Sequence, residues 1–211
     1  MHITLLVDNP DSWIIPYVKK LKKLLAKDHQ VEFVVQHKDI KKGDLAFFLS
    51  CGQIVSPEVL KLNKHNLVVH ESKLPQGKGW SPLSWQVLAG KNKIPITLFD
   101  AAEAVDSGEI YLQDYMQFQG DELIDELRQQ QGEKTIELVL KFIKIYPGIK
   151  GIKQQGKESF YPRRTPKDSE LDIEKSIKSQ VNLLRVVDNE RYPAFFKYRG
   201  NTYILKIQKE K

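Results

Sequence analysis

The feature of this sequence that limits its possible folds the most is an alternation of short apolar runs with helical patterns. The apolar runs have the length of β-strands, and they fall at residues 3–7, 31–35, 45–49, 66–70 and 94–99. Between the first two runs, residues 14–25 carry apolar side chains at helical spacing with lysines between them, which predicts an amphipathic helix with a basic outer face. Almost wholly apolar strands that alternate with helices predict a mostly parallel sheet with helices on both faces.

The second half of the chain predicts one more strand, a long helix and a separate C-terminal segment. Residues 109–113 have strand character, and a helical pattern runs from about 121 to 145 with Gly132 as an interruption. After a polar stretch over residues 150–172, residues 173–187 predict a short helix. Two apolar runs around Arg199-Gly200-Asn201 predict a hairpin. A length of 211 residues suits one domain and an appendage, which we place at 1–150 and 151–211.

Composition excludes several classes of protein. No apolar run approaches the roughly 18 residues of a membrane-spanning helix, and the N-terminus lacks a signal-peptide pattern, so we expect a cytoplasmic protein without a membrane partner. Cys51 is the one cysteine, which excludes an internal disulfide framework and a cysteine zinc site. The net charge of +6 leaves three interpretations: a nucleic-acid surface, a phosphorylated small-molecule partner, or a solvated exterior.

Polar side chains at the strand ends are the candidates for a binding site. Ligands of open parallel sheets bind beyond the carboxyl ends of the strands, where Asn9, Ser50, His70 and the segment after Phe99 are expected. The sequence contains neither a Gly-x-Gly-x-x-Gly turn after the first strand nor a Walker A motif. The common dinucleotide and nucleoside-triphosphate sites therefore receive little support.

The segment richest in chemical signals follows the strand that ends at His70. It reads His70-Glu71-Ser72-Lys73-Leu74-Pro75, then Gly77-Lys78-Gly79, and about thirty residues later Asp106-Ser107-Gly108. We expect the aspartate, in a second tight turn at the same edge of the sheet, to reach the histidine. A carboxylate beside an imidazole fixes its tautomer, which suits a group that exchanges a proton during transfer.

These residues resemble the signature of the folate-dependent formyltransferases, Asn-x-His-x-Ser-x-Leu-Pro, a glycine-rich turn and Asp-x-Gly. The order and spacing match over residues 45–115. The resemblance implies a Rossmann-like α/β formyltransferase fold with a short C-terminal helix and hairpin extension. It also implies transfer of a formyl group from 10-formyltetrahydrofolate to a primary amine without a metal. His70 and Asp106 would be the catalytic pair, with the folate pocket formed by Cys51, Gln53, Val55, Leu74, Ala102, Glu103 and Asp106.

The C-terminal segment is similar to the extension of formyltransferases that act on nucleotide-linked 4-amino sugars, of the kind used in pseudaminic-acid pathways. The similarity lies in Tyr161-Pro162-Arg163-Arg164-Thr165-Pro166, Asn182-Leu183-Leu184-Arg185 and Pro193-x-Phe195. It implies a UDP- or dTDP-linked 4-amino-4,6-dideoxy sugar as the substrate and leaves a monomer and a homodimer both open. The residues expected at that substrate are Lys78, Trp80, Tyr161, Arg163, Arg164, Arg185 and Phe196.

One position departs from the family pattern. Val68 stands where the signature has asparagine, a donor to the developing oxyanion, and Asn66 is about 6.6 Å away along a strand. We expect Gln53, Ser72 or backbone N–H groups to supply that donor. Glycinamide ribonucleotide formylation and a non-catalytic folate- or nucleotide-binding module remain as alternatives. Formylation of methionyl-tRNA would fit the basic charge, but such enzymes add a domain for which this sequence leaves no room, so we expect no specific nucleic-acid partner.

Overall fold

The computed structural model describes residues 1–210 and has a central six-stranded sheet with the strand order β2-β1-β3-β4-β6-β7. The strands are His2–Leu6 (β1), Gln30–Val34 (β2), Gly43–Phe48 (β3), Asn63–His70 (β4), Lys78–Gly79 (β5), Lys93–Asp100 (β6), Ile110–Gln117 (β7), Phe160–Tyr161 (β8), Ala194–Tyr198 (β9) and Asn201–Leu205 (β10). The helices are Ile15–Leu25 (α1), Pro57–Leu60 (α2), Pro82–Leu88 (α3), Ile124–Ile145 (α4) and Val181–Val186 (α5).

The prediction of a mostly parallel α/β sheet is confirmed, with a reversal at one side. Strands β2, β1, β3 and β4 are parallel, whereas β6 lies antiparallel to β4 and β7 antiparallel to β6. An apolar run predicts a strand but carries no information about its direction, so the pattern could not show this reversal. As a consequence, the carboxyl end of β6 lies beside Leu67 in β4. The segment after Phe99 therefore begins beside the middle of β4, three residues before His70.

The two faces of the sheet are covered unequally. One face packs against α1 and α4, and that core includes Phe47, Leu67 and Phe142, each fully buried. The other face carries a smaller cluster around Leu6 and Phe48 that is covered by loops and the single turn of α2. Helices do lie on both faces, but the thin cover of the second face leaves room for a cleft at the strand ends.

Gly132 does not interrupt the long helix, contrary to the sequence-based expectation. Helix α4 is continuous through this residue. The ring of Tyr17 packs against it, and a Cβ at Gly132 would lie only 2.5 Å from that ring. The glycine therefore allows α1 and α4 to approach each other closely.

The C-terminal segment packs onto the rest of the chain. Strand β8 pairs with β5, and α5 contributes Val186 to the main core. The hairpin β9–β10 forms, as predicted, over a small cluster that includes Leu184 and Ala194. The division at residue 150 stays a prediction, and Lys211 lies outside the described residues. Within residues 1–210 no helix is both long and apolar enough to cross a membrane.

Candidate active site

A cleft of about 540 Å³ runs along the carboxyl ends of β1, β3 and β4. One side of it, here called the sheet wall, consists of the lining residues within 48–55, 68–70 and 99–106. The opposite side, the extension wall, consists of lining residues of α4 and of the C-terminal segment: Ile124, Arg128, Gln131, Thr135, Arg163, Arg164, Thr165, Val186, Asp188, Arg191 and Tyr192. His70 lies where the two walls meet, and Asn9 and Ser50 also line the cleft.

His70 is held at the last position of β4 with its side chain almost fully buried. Its Nε2 donates a hydrogen bond of 2.8 Å to the carbonyl oxygen of Gly77, and its ring meets the edge of Phe99. Because a carbonyl oxygen can only accept, Nε2 carries a proton, and in the neutral imidazole Nδ1 then keeps the lone pair. The contact with Gly77 therefore selects one tautomer of the neutral ring.

Asp106 is brought to His70 by the loop between β6 and β7. One carboxylate oxygen lies 3.7 Å from His70 Nε2 and accepts a hydrogen bond of 2.8 Å from the backbone N–H of Gly79. The turn is tight: Asp106 has a positive φ of 49°, and a Cβ at Gly108 would collide with the carbonyl oxygen of Asp100. The loop thus folds back from the middle of β4 to its end. For this reason Asp106 lies beside His70 even though β6 is antiparallel to β4.

The C-terminal segment braces the glycine-rich loop that holds this pair. Gly77 N–H donates to the hydroxyl oxygen of Ser159 at 2.9 Å, and Lys78 N–H donates to the Ser159 carbonyl at 2.9 Å. Trp80 N–H donates to the carbonyl of Tyr161 at 3.1 Å. The loop whose Gly77 and Gly79 contact His70 and Asp106 is consequently fixed by residues 159–161.

Asp8 shapes the loop that follows β3 at the sheet wall. Its carboxylate accepts hydrogen bonds from the backbone N–H groups of Gly52 and Gln53 at 2.7–2.9 Å. Burial, reinforced by the nearby charge of Asp8, raises the pKa of the Cys51 thiol to about 12. Cys51 is therefore a protonated packing residue at neutral pH and unsuited to act as a nucleophile.

Neither Val68 nor Asn66 supplies the side-chain donor that the family asparagine would provide. Val68 lines the cleft two residues before His70, so the departure from the family pattern lies in the site itself. Asn66 is buried, donates its amide to the carbonyl of Leu60 at 2.7 Å and does not reach the cleft. Ser72 is also buried outside the lining, whereas Gln53 does line the cleft.

The extension wall carries four arginines in different states. Arg128 pairs with Asp188 at 2.8 Å, and Arg164 donates to the carbonyls of Val186 and Asp168. Arg163 is exposed, with its guanidinium 4.8 Å from the ring centre of Trp80. Arg191 is exposed as well, and neither Arg163 nor Arg191 forms an ion pair within residues 1–210.

The structure brings most of the predicted folate residues to the cleft but fewer of the predicted substrate residues. The predicted residues in the lining are His70, Asp106, Cys51, Gln53, Val55, Ala102, Trp80, Arg163 and Arg164. Leu74 is buried outside the lining, and Glu103 is exposed outside it.

Four predicted substrate residues need correction because tertiary partners draw them away from the cleft. Lys78 is buried and paired with Glu158 at 2.5 Å. Tyr161 stacks on Trp85, and Phe196 stacks on Tyr203 in the hairpin. Arg185 is 1% exposed and bonds Glu122, Asn92 and Asn182.

Sequence reasoning missed several polar lining residues. Asp8 is the second residue after the end of β1, and Glu71 directly follows His70, so their places at strand ends were a usable signal. Arg128, Gln131 and Thr135 recur at three- and four-residue spacing, which puts them on one face of α4. Within residues 1–210 no group of three or more His, Cys, Asp or Glu side chains could hold a metal ion.

The fold and the paired His70 and Asp106 at the sheet edge define a formyltransferase-type α/β protein. A model of the family described as formyl transferase matches residues 14–143, and the chain belongs to this family. Among curated relatives, the methionyl-tRNA formyltransferase of Thermosipho melanesiensis is 30% identical over 148 residues, which is 70% of this chain and 48% of the relative. The one from Clostridioides difficile is 26% identical over 88% of this chain and 60% of its own length. The chain thus spans about half to three fifths of these relatives.

Solved structures with the same fold cover nearly the whole chain. A methionyl-tRNA formyltransferase from Clostridium thermocellum superposes with a TM-score of 0.85 at 20% identity, over 100% of this chain and 94% of the other. A 4-N formyltransferase from Francisella tularensis gives 0.79 at 18% identity over 100% and 98%. HypX from Aquifex aeolicus in complex with tetrahydrofolic acid gives 0.80 at 19% identity, over 96% of this chain and 37% of that chain. At these identities the superpositions establish the fold.

Proposed function

We propose that this protein transfers a formyl group from 10-formyltetrahydrofolate to the primary amine of a nucleotide-linked 4-amino-4,6-dideoxy sugar, with a UDP carrier. The observation that carries the proposal is one continuous cleft in which the His70–Asp106 pair faces exposed arginines of the C-terminal segment. The family membership supports formyl transfer. The acceptor that the sequence resemblance suggests is the amino sugar of a pseudaminic-acid type of pathway.

The sheet wall suits the folate donor. It offers apolar side chains such as Val55 and Val68 together with backbone groups of residues 51–55 and 101–106, a combination that fits a flat heterocycle. Asp8 fixes the first of these loops and leaves Gln53 lining the cleft. The donor would supply the formyl carbon at the junction of the two walls, next to His70.

The catalytic pair suits amine attack on that carbon. The lone pair at His70 Nδ1 can take the proton that leaves the attacking nitrogen, and Asp106 stabilises the imidazolium that forms. An oxyanion develops at the formyl oxygen, and Gln53 or backbone N–H groups of the sheet wall would donate to it in place of the family asparagine. General acid–base help of this kind contributes about 10²–10⁴-fold in rate.

The extension wall suits an anionic carrier. Arg163 and Arg191 are exposed and free of ion pairs among the described residues, and a guanidinium binds phosphate oxygens with two parallel hydrogen bonds. Trp80, already stacked under Arg163, adds an aromatic surface for a base. A diphosphate with a nucleoside would use both features.

Methionyl-tRNA is the second candidate acceptor, favoured by the sequence relatives, which are methionyl-tRNA formyltransferases. The backbone phosphates near the 3′ end of this tRNA would bind the same arginines. Glycinamide ribonucleotide has one phosphate and engages fewer of them. A non-catalytic folate- or nucleotide-binding module is the reading that Val68 would favour if no acceptor turned over.

The test is release of tetrahydrofolate from 10-formyltetrahydrofolate in the presence of each acceptor: UDP- and dTDP-4-amino sugars, methionyl-tRNA and glycinamide ribonucleotide. We expect turnover with a UDP-linked 4-amino sugar. Turnover with methionyl-tRNA and with none of the sugars would show that the acceptor is tRNA and would refute the proposed sugar acceptor. Binding of folate and nucleotide sugar without any turnover would support the binding module.

A further inference from the structure

Glu71 is a buried carboxyl group that the catalytic pair does not use. It directly follows His70, is 9% exposed, and lines the cleft opposite Gln131 and Thr135 of α4. Its backbone carbonyl accepts a hydrogen bond from Gln86, which fixes its position. Within residues 1–210 its carboxylate takes part in no ion pair, although an unpaired buried carboxylate is costly to fold around.

The surroundings of Glu71 show which kind of group could pair with it. Burial raises its pKa, the charge of His70 and a hydrogen bond from Gln131 lower it, and the charge of Asp106 raises it further. The cationic group of α4 in the cleft, Arg128, is already paired with Asp188. The position therefore calls for a positively charged hydrogen-bond donor that enters from the cleft.

We propose that Glu71 binds the acceptor amine in its ammonium form and removes a proton from it before attack. This inference rests on the proposed N-formylation of a primary amine. Primary amines near pKa 8 arrive mostly protonated at neutral pH, and an ammonium has no lone pair with which to attack. A carboxylate at the entry to His70 solves this problem by both binding the cation and neutralising it.

One N–H bond of the ammonium breaks, its proton passes to a carboxylate oxygen of Glu71, and the nitrogen keeps the electron pair. That pair forms the new bond to the formyl carbon while His70 takes a second proton from the nitrogen. The bond from the formyl carbon to the folate nitrogen breaks, and this nitrogen takes the proton from His70. The proton on Glu71 returns to water, so the net products are the formamide, tetrahydrofolate and one proton.

The pH dependence of kcat/KM in Glu71→Gln tests the step with the acceptor that the wild type formylates. Wild type should be nearly flat between pH 7 and the pKa of the acceptor. The variant should lose about tenfold per pH unit below that pKa and approach wild type above it, because it must wait for free amine. Glu71→Asp should recover part of the wild-type profile, and Glu174→Gln, an exposed carboxyl far from the cleft, should match wild type. An equal deficit at every pH, or none, would overturn the inference.

A second measurement keeps the inference testable when no acceptor turns over, an outcome that would refute the proposed function alone. The ¹³C signal of the Glu71 carboxyl, assigned by its loss in Glu71→Gln, is followed during addition of methylammonium chloride and of sodium chloride at equal ionic strength. A shift with methylammonium alone supports the site. Identical responses to the two salts would contradict it.

Discussion

The two walls of the cleft differ in how directly the local sequence specifies them. The sheet wall is made of loops that leave strand ends, and its polar contacts run mainly through backbone groups, such as the N–H groups that Asp8 holds. The extension wall is made of side chains from α4 and from residues 163–192 further along the chain. Which arginines of this wall remain available to a ligand depends on which of them already bind other protein groups, as Arg128 and Arg164 do. Backbone hydrogen bonds thus fix the geometry of the sheet wall, whereas long-range side-chain partners decide which groups of the extension wall remain available.

The largest effect is expected where the two walls meet. His70→Ala should lower kcat by about 10²–10⁴-fold, because it removes the base that receives the amine proton. Asp106→Asn should also lower kcat, since it keeps the hydrogen bond to Gly79 but loses the charge. Both variants should bind tetrahydrofolate as wild type does in calorimetry, and near-normal turnover in either would refute the assignment.

The two kinds of arginine should respond in opposite ways. Arg163→Ala should raise KM for a phosphorylated acceptor by about tenfold with little change in kcat or in melting temperature, because charge-assisted hydrogen bonds to phosphate are lost. Arg185→Met should instead remove the ion pair to the half-buried Glu122 and the hydrogen bonds to Asn92 and Asn182, a cost of about 1.5–3 kcal/mol, and lower Tm by roughly 5 °C. Steady-state kinetics and thermal unfolding separate the two, and a KM effect at Arg185 with unchanged Tm would reverse the comparison.

These arginines also show what sequence could and could not predict. Strand periodicity and the signature motif placed His70 and Asp106 correctly at one edge of the sheet, because strand ends follow from local pattern. Arg163 and Arg185 look alike in the sequence, yet Glu122, 63 positions away, draws the second into the core. Likewise Tyr161 stacks on Trp85 and Phe196 stacks on Tyr203, so neither side chain lines the cleft. Such choices depend on long-range packing, which a motif does not contain.

A smaller effect on kcat is expected at Ser159, which links the C-terminal segment to the glycine-rich loop beside His70. Ser159→Ala removes one hydrogen bond to Gly77 N–H, and its loss, worth about 1 kcal/mol, should loosen the loop that orients His70. We expect kcat to fall by about fivefold with KM unchanged, and Ser159→Thr to restore it. A change confined to KM would mean that the segment contacts substrate and does not brace the loop.

The smallest effect is expected at the sheet wall. With its pKa raised to about 12, the Cys51 thiol should react with iodoacetamide at pH 8 far more slowly than free cysteine. Intact-protein mass spectrometry over time follows the reaction. Rapid alkylation in the folded protein would show that the thiol is neither buried nor protonated.

In the proposed function, one cleft joins formyl transfer at His70 to an anionic carrier held by the extension wall. The most direct measurement compares formylation of a UDP-linked 4-amino-4,6-dideoxy sugar by wild type and Arg163→Ala with formylation of the same amino sugar without its nucleotide. We expect efficient formylation of the nucleotide-linked sugar by wild type and a large loss of rate when the nucleotide is removed. On the free sugar, Arg163→Ala should cause no further loss. Equal rates for the linked and free sugars in wild type would contradict the proposed function.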